Sequence, residues 1–116
     1  MSFQTLNRPV TYTLLNNQAT PVILNNLVID GTQNGLYIID YSIIRSTTTP
    51  SEVIEKGYFI GRYNPNFSVW NLFQTVIAGN AGITFSQTFS GQLQYTSSNI
   101  AGTPVLNSLR VSIKLL

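Results

Sequence analysis

The sequence predicts an all-β protein: an antiparallel β-sandwich of about eight short strands, with a jelly roll as a strong candidate for its topology. One observation behind this prediction is the hydrophobic pattern, because apolar and polar residues alternate along many segments while helical spacing is nearly absent. The other observation is the dense punctuation by turn-forming residues. These turn signals are Asn16-Asn17, Asp30-Gly31, Thr49-Pro50, Asn64-Pro65 and Gly79–Gly82.

Five strands are predicted in the first two thirds of the chain. They are Val10–Leu15, Val22–Ile29, Gly35–Arg45, Val53–Tyr63 and Phe67–Val76. Within the segment "NLFQTVIAG", residues 71 to 79, the alternation is poor, so a helical turn remains an alternative there.

The remaining strands follow the Gly79–Gly82 turn. Ile83, Phe85 and Phe89 share one face of a predicted strand, and Ser90-Gly91 fits a two-residue hairpin turn. A second strand after that turn continues the alternation, and the C-terminal segment alternates most clearly. Its apolar members are Leu109, Val111, Ile113 and Leu115.

Length and composition limit the classes of function. The 116 residues suffice for one domain, which we expect to comprise residues 10–116 behind an N-terminal arm of residues 1–9. The chain has no cysteine and no histidine, so disulfides, thiolate metal sites and the usual proton shuttle are excluded. The 6 basic and 4 acidic residues are scattered singly, which argues against a nucleic-acid partner.

Neither a secretion signal nor a membrane span is expected. The segment "MSFQTLNRPV" lacks a cationic start followed by an apolar stretch, and no apolar run approaches the ~18 residues of a spanning helix. We therefore expect the chain to be made and folded in a cytoplasm.

The segment Gly35–Ser46 is apolar on both faces of its predicted strand. Tyr37, Ile39, Tyr41 and Ile43 share one face, whereas Asp40 and Ser42 lie on the other face among apolar neighbours. Such a strand is covered on both sides, and we expect the core of the domain on one side and a partner subunit or an overlying loop on the other. The predicted oligomer-interface residues are Leu36, Ile38 and Ile44. We interpret Asp40 as a structural carboxylate, with Arg62 or Arg110 as candidate partners.

The few acidic residues do not predict an active site. Glu52 and Glu55 are close in sequence, but we interpret them as the solvated start of a strand rather than as the paired carboxylates of a glycosidase. Serine chemistry lacks a base, and the segment "GNAGIT" leads into a strand and is a tight turn rather than a phosphate cradle. We expect no enzyme activity, no cofactor and no metal.

Two segments are candidates for surface contacts. One is a possible contact patch of aromatic residues, since tyrosine and tryptophan are frequent interface anchors and also stack on sugar rings. The patch comprises Tyr58, Tyr63, Phe67, Trp70 and Phe73. The other is the N-terminal arm, in which Phe3, Leu6 and Arg8 would anchor the chain to a neighbouring surface.

Several strand motifs together resemble a small jelly-roll module of tailed-phage virion proteins. These motifs are Asp40-Tyr41-Ser42, Gly57–Tyr63, Gly82–Phe85, Leu93–Thr96 and Val111–Leu115. The resemblance covers roughly residues 35–116, and the module is similar to the tumour-necrosis-factor and complement globular-head fold. It implies a jelly roll and a homotrimer, and it implies no catalytic residues.

The leading hypothesis is a trimeric capsid decoration or cement protein on the surface of a phage virion, made in the bacterial cytoplasm. Its partners would be the major capsid protein or other virion proteins, without nucleic acid or membrane. The alternative is a receptor-binding or tail-fibre-tip module that contacts host glycans through the aromatic patch. An enzyme is disfavoured because histidine and cysteine are missing from the sequence. A secreted cytokine-like ligand is disfavoured because no secretion signal is expected.

Overall fold

The structure, a computed structural model, describes residues 9–25, 35–49, 51–64, 66–67, 69–88 and 92–116. Eight β-strands and no helix are assigned in these residues. The strands are β1 Val10–Thr13, β2 Val22–Ile23, β3 Tyr37–Thr47, β4 Ser51–Asn64, β5 Val69–Gly79, β6 Ile83–Gln87, β7 Leu93–Ser97 and β8 Pro104–Leu115.

The strands form two antiparallel sheets. The large sheet has the order β1-β8-β3-β4-β5, and the small sheet has the order β2-β7-β6. All the strand pairs within them are antiparallel. The predicted all-β antiparallel sandwich is therefore confirmed.

The jelly-roll topology is not confirmed. A jelly roll is a wrapped antiparallel hairpin, in which the first strand pairs with the last, the second with the second-last, and so on inward. The pairs β1·β8, β2·β7 and β4·β5 follow that scheme. However, β3 lies between β8 and β4, and β6 pairs with β7. Consequently β3, β4 and β5 form a meander within one sheet.

Strand β3 is the centre of the large sheet, and its two faces have different environments. The odd-numbered side chains Tyr37, Ile39, Tyr41 and Ile43 are buried, whereas the even-numbered ones are partly or largely exposed. This arrangement follows from the period-two geometry of a strand. The buried residues face the small sheet and pack with its apolar side chains, including Ile83, Leu93 and Tyr95.

Aromatic rings connect the two sheets at the core. Tyr41 and Phe59 of the large sheet and Phe85 of the small sheet form a triangle of rings. The centroids of Tyr41 and Phe59 are 5.5 Å apart, and each lies 5.3 Å from the centroid of Phe85. Two of the three contacts are edge-on, the geometry that the ring quadrupole favours.

Several sequence-based boundaries differ from the structure. Residues 71–79 continue β5 as a strand, so the helical-turn alternative is wrong. The register of β4 and β5 shifts between Lys56 and Gly57, which places Ile77 as an extra residue on β5 and accounts for the poor alternation. The Ser90-Gly91 turn and the second half of the predicted Val22–Ile29 strand, residues 26–29, lie outside the described residues.

The predicted turn at Gly79–Gly82 joins the two sheets. Both glycines have positive φ, +82° and +70°, a conformation that side chains rarely adopt. A Cβ atom on Gly79 would also collide with the carbonyl oxygen of Ile54. The Asn80 side chain accepts a hydrogen bond from the Gly82 N–H at 2.9 Å and closes the turn.

Arg45 of β3 is buried at this end of the sandwich with 1% exposure. Its guanidinium donates to side-chain oxygens of Asn16 at 2.7 Å and Asn107 at 3.1 Å. It also donates to the backbone carbonyls of Ala81 at 2.6 Å and Ser98 at 2.7 Å. Burial lowers the pKa of Arg45, because removal from water disfavours the charged form. The four neutral acceptors replace part of the lost hydration.

Substitution of Arg45 tests this bonding. An Arg45→Lys variant keeps the charge, but one ammonium group cannot donate to four acceptors held around a planar fork. We expect the free energy of unfolding to fall by about 2–4 kcal/mol, because buried acceptors lose their donors. Urea unfolding monitored by circular dichroism measures the loss.

The matched control is Arg110→Lys on the exposed outer side of β8, which we expect to change stability by no more than about 0.5 kcal/mol. Equal stability of the two variants would contradict the role assigned to Arg45.

Candidate functional site

The side of the large sheet that faces away from the small sheet is called here the outer face. Two apolar rows cross it. The first apolar row consists of Ile38, Ile60 and Phe73, which are cross-strand neighbours on β3, β4 and β5. The second apolar row consists of Ile44 and Ile54 on β3 and β4. Phe73 is 75% exposed, Ile54 58% and Ile44 39%. The outer face therefore presents apolar side chains to solvent.

A polar strip lies between the two rows. The Lys56 ammonium lies 3.6 Å from the Asp40 carboxylate and donates to the Tyr41 carbonyl at 3.1 Å. Arg110, Ser42 and Ser112 line the same groove, which has a volume of about 230 Å³.

Asp40 is thus one member of a surface ion pair. Its partner at ion-pair distance is Lys56, which sequence reasoning missed, and not Arg110. Lys56 faces Ser42 directly and Asp40 diagonally across the β3–β4 ladder. Because both side chains are more than two-fifths exposed, this pair contributes no more than about 1 kcal/mol.

The predicted interface residues do not form one patch. Ile38 belongs to the first apolar row and Leu36, which is 50% exposed, precedes the same end of β3. Ile44 lies six residues further along the strand, at the far side of the polar strip. Sequence reasoning missed Ile54 and Ile60, which extend both rows onto β4. Both residues occupy even-numbered positions of the predicted Val53–Tyr63 strand, so its period-two alternation could have placed them on one face.

The predicted aromatic patch is divided between environments. Phe67, in the turn between β4 and β5, is 74% exposed, and Phe73 lies in the first apolar row. Tyr58 is partly buried on the outer face beside Asp40. The side chains of Tyr63 and Trp70 lie outside the described residues, as do the arm residues Phe3, Leu6 and Arg8.

Glu55 is a correction to the sequence interpretation, which placed it in solvent. The side chain is 6% exposed and lies on the inner face of β4. One carboxylate oxygen accepts the Tyr41 hydroxyl at 2.6 Å, and the other accepts the Ala81 N–H at 3.0 Å. Glu52, by contrast, is exposed. The hydrogen bonds of Glu55 therefore connect the turn before β6 to β3 and β4 of the large sheet.

Tyr41 is the second member of this buried cluster. Its hydroxyl donates to Glu55 and accepts from the Gln74 amide at 2.8 Å. Burial is the largest cause, and the hydrogen bond to Glu55 the next, of a pKa of Tyr41 raised to about 12. The hydrogen bonds of this cluster link β3, β4 and β5 of the large sheet to one another and to the turn before β6.

Other features of the described residues do not add a chemical site. No group of three or more histidine, cysteine, aspartate or glutamate side chains is placed to hold a metal ion within them. No helix in that part of the chain is long and apolar enough to cross a membrane. A cleft of about 240 Å³ opens between the sheets beside β5 and β6, with Phe59, Leu72, Phe85 and Leu93 in its walls.

Comparisons with protein-family models, with curated proteins and with solved structures found no match. The fold defines the class of this protein as an all-β antiparallel sandwich with five strands in one sheet and three in the other.

The raised pKa of Tyr41 predicts a loss of stability in alkaline solution. The folded state holds the phenolic proton above the ordinary pKa of 10.0. The stabilisation is therefore complete below pH 10 and disappears as the pH rises from 10 through about 12. A Tyr41→Phe variant lacks this group, and we expect it to be less stable than the wild type by about 1–3 kcal/mol at pH 7.

Urea unfolding of both proteins between pH 7 and pH 11.5 measures the difference. We expect the gap between them to shrink above pH 10. A gap that stays constant up to pH 11.5 would contradict the raised pKa.

Proposed function

We propose that this chain is a non-enzymatic structural protein of a virion, a homotrimeric decoration subunit that stabilises a phage head. One observation supports the adhesive role above the others: in the single subunit the apolar rows of the outer face leave Ile44, Ile54 and Phe73 exposed, with Ile38 and Ile60 partly buried. Monomeric proteins rarely leave several large apolar side chains exposed on one face, and such surfaces commonly mark contacts between proteins.

The outer face has the composition of a contact surface. Its centre contains the Asp40–Lys56 pair and Arg110, and apolar rows flank it on both sides. Burial of the rows would supply free energy, while the charges of the strip would select the register and the partner. Stable oligomer interfaces commonly bury more than about 2,000 Å² and are relatively apolar. A sheet of five strands offers a broad enough surface for such a contact.

The virion assignment rests on the resemblance of residues 35–116 to the phage jelly-roll module. The pairs β1·β8, β2·β7 and β4·β5 are compatible with descent from that architecture. The sparse charge also supports it, since a surface packed among many neighbours would have to desolvate or pair each charge. In this proposal the N-terminal arm binds the major capsid protein through Phe3, Leu6 and Arg8.

The trimer is tested by a charge on the second apolar row. Ile44→Lys should convert the trimer to a monomer, because three ammonium groups would have to be desolvated at the interface. Light scattering after size exclusion measures the mass. The matched control is Ile23→Lys on β2, where the isoleucine is 41% exposed against 39% for Ile44. The control should remain a trimer.

The outcomes of this experiment are distinct. A wild-type chain that is monodisperse and monomeric at micromolar concentration would contradict the trimer. The virion role has a separate test, because imaging of assembled particles would locate the subunit on the capsid. Particles that lack the chain would contradict that role even if the trimer forms.

A second candidate function is a receptor-binding module for host glycans. The exposure of Phe67 and Phe73, at 74% and 75%, favours it, because exposed aromatic rings stack on sugars. If this function holds, Phe67→Ala should weaken binding on a glycan array by about tenfold, which corresponds to roughly 1.4 kcal/mol. Leu106→Ala is the control, since Leu106 is exposed but lies outside the patch. The absence of any glycan signal for the wild type would exclude this candidate.

A further inference from the structure

Strand β5 is an edge of the large sheet. Within the residues that the structure describes, it pairs with β4 on one side, and no strand lies along its other side. It has 11 residues, and at about 3.4 Å per residue it is roughly 37 Å long. A long edge of this kind presents a row of backbone donors and acceptors to a further strand.

The usual protection of an edge strand is largely missing from β5. Proteins commonly guard such strands with charged residues or proline, yet Val69–Gly79 contains neither. Among the described residues, the protective feature is the register shift opposite Lys56 and Gly57, which affects the C-terminal end of the strand. Large apolar side chains are also exposed along it: Phe73 75%, Val76 48% and Ile77 60%. The strand is therefore suited to pairing.

We propose that two copies of this chain pair through their β5 strands, antiparallel about a two-fold axis perpendicular to the large sheet. This axis keeps the outer faces of both copies on the same side of the joined sheet. An outward-pointing residue of one copy can therefore oppose only an outward-pointing residue of the other. Phe73 lies near the middle of the strand, outside the irregular end, and is the most exposed large apolar side chain among those described for residues 71–79. The expected register places Phe73 opposite the same residue of the second copy.

Several features favour a second copy over a different protein. A two-fold contact brings identical residues together, so any charge near the axis would meet its own like charge; β5 carries none. In the proposed register, Asn71 and Thr75 face each other across the axis, which pairs polar with polar. The first apolar row, Ile38, Ile60 and Phe73, ends at the edge in one copy and would continue into the row of the other.

The size of the contact sets the expected affinity. A single strand pair with few side-chain contacts lies at the small end of specific interfaces, below about 1,200 Å² in total. We therefore expect association at micromolar concentrations. The contact uses the β5 edge and does not rest on the virion role or on the trimer. Because Phe73 also belongs to the first apolar row, the mass of the basic unit is measured for the Phe73 variants too, and a loss of the trimer is then read separately from a loss of the association above it.

Charge substitution at Phe73 tests the proposal. Phe73→Lys and Phe73→Glu should each raise the Kd of association at least tenfold, because like charges would oppose each other across the axis. An equimolar mixture of the two variants should associate again, since a lysine would then oppose a glutamate. Phe67→Lys is the matched control, because Phe67 is equally exposed but lies in the turn before β5. Thermal unfolding confirms that each variant is folded.

Two measurements read the outcome. Sedimentation velocity over a concentration series gives the mass of the basic unit, which reports on the trimer, and the association above that unit, which reports on β5. Amide hydrogen exchange should show protection of residues 69–79 that increases with concentration in the wild type and not in Phe73→Lys.

Four results would overturn the proposal. They are a wild type that does not associate above its basic unit, Phe73 variants that associate as the wild type does, a mixture no better than either variant, and a Phe67→Lys control that is impaired equally. An edge that pairs only with a different protein would give the first of these results.

Discussion

The sandwich depends on one buried cation that has no carboxylate among its hydrogen-bond acceptors. Arg45 donates to oxygens from four separate segments: the β1–β2 connection, the turn before β6, the segment after β7, and β8. Desolvating a guanidinium is costly, and the bonds to neutral carbonyl and amide oxygens recover that cost only if all four segments are in place. Arg45 therefore couples the ends of the two sheets to one another.

The buried carboxylate belongs to the same arrangement. Ala81 donates its N–H to Glu55 and its carbonyl accepts from Arg45, so one residue separates the two buried charges. The turn that crosses from the large sheet to the small sheet is thus held from both sides. Tyr41 and Gln74 extend the network to β3 and β5. Because a buried polar group without a partner is costly, the network favours one relative position of the sheets over others.

The sequence allowed the local structure to be predicted better than the long-range structure. Alternation alone assigned the inward and outward faces of β3, because a strand has period two. It could not show that Glu55 would be buried, since its partners Tyr41 and Ala81 are 14 and 26 residues away. The division into five and three strands also depends on which strands pair across the sandwich. The outward face of β3 was visible in the sequence, but its continuation on β4 and β5 required the register.

The distribution of charge connects the interior to the surfaces. The chain has ten charged residues, the sum of 6 basic and 4 acidic ones, and two of them, Arg45 and Glu55, are buried in structural roles. Few therefore remain to keep the exposed strands from associating, and none lies on β5. On the outer face the Asp40–Lys56 pair lies between the two apolar rows, and Lys114 of β8 lies directly opposite Ile38 at the end of the first apolar row. A protein that stayed monomeric would gain solubility from charges in those rows and along that edge. The fold itself does not require the uncharged sequence of β5, because exposed positions on a sheet tolerate lysine or glutamate at little cost to stability, and the strand pairing proposed above would account for it.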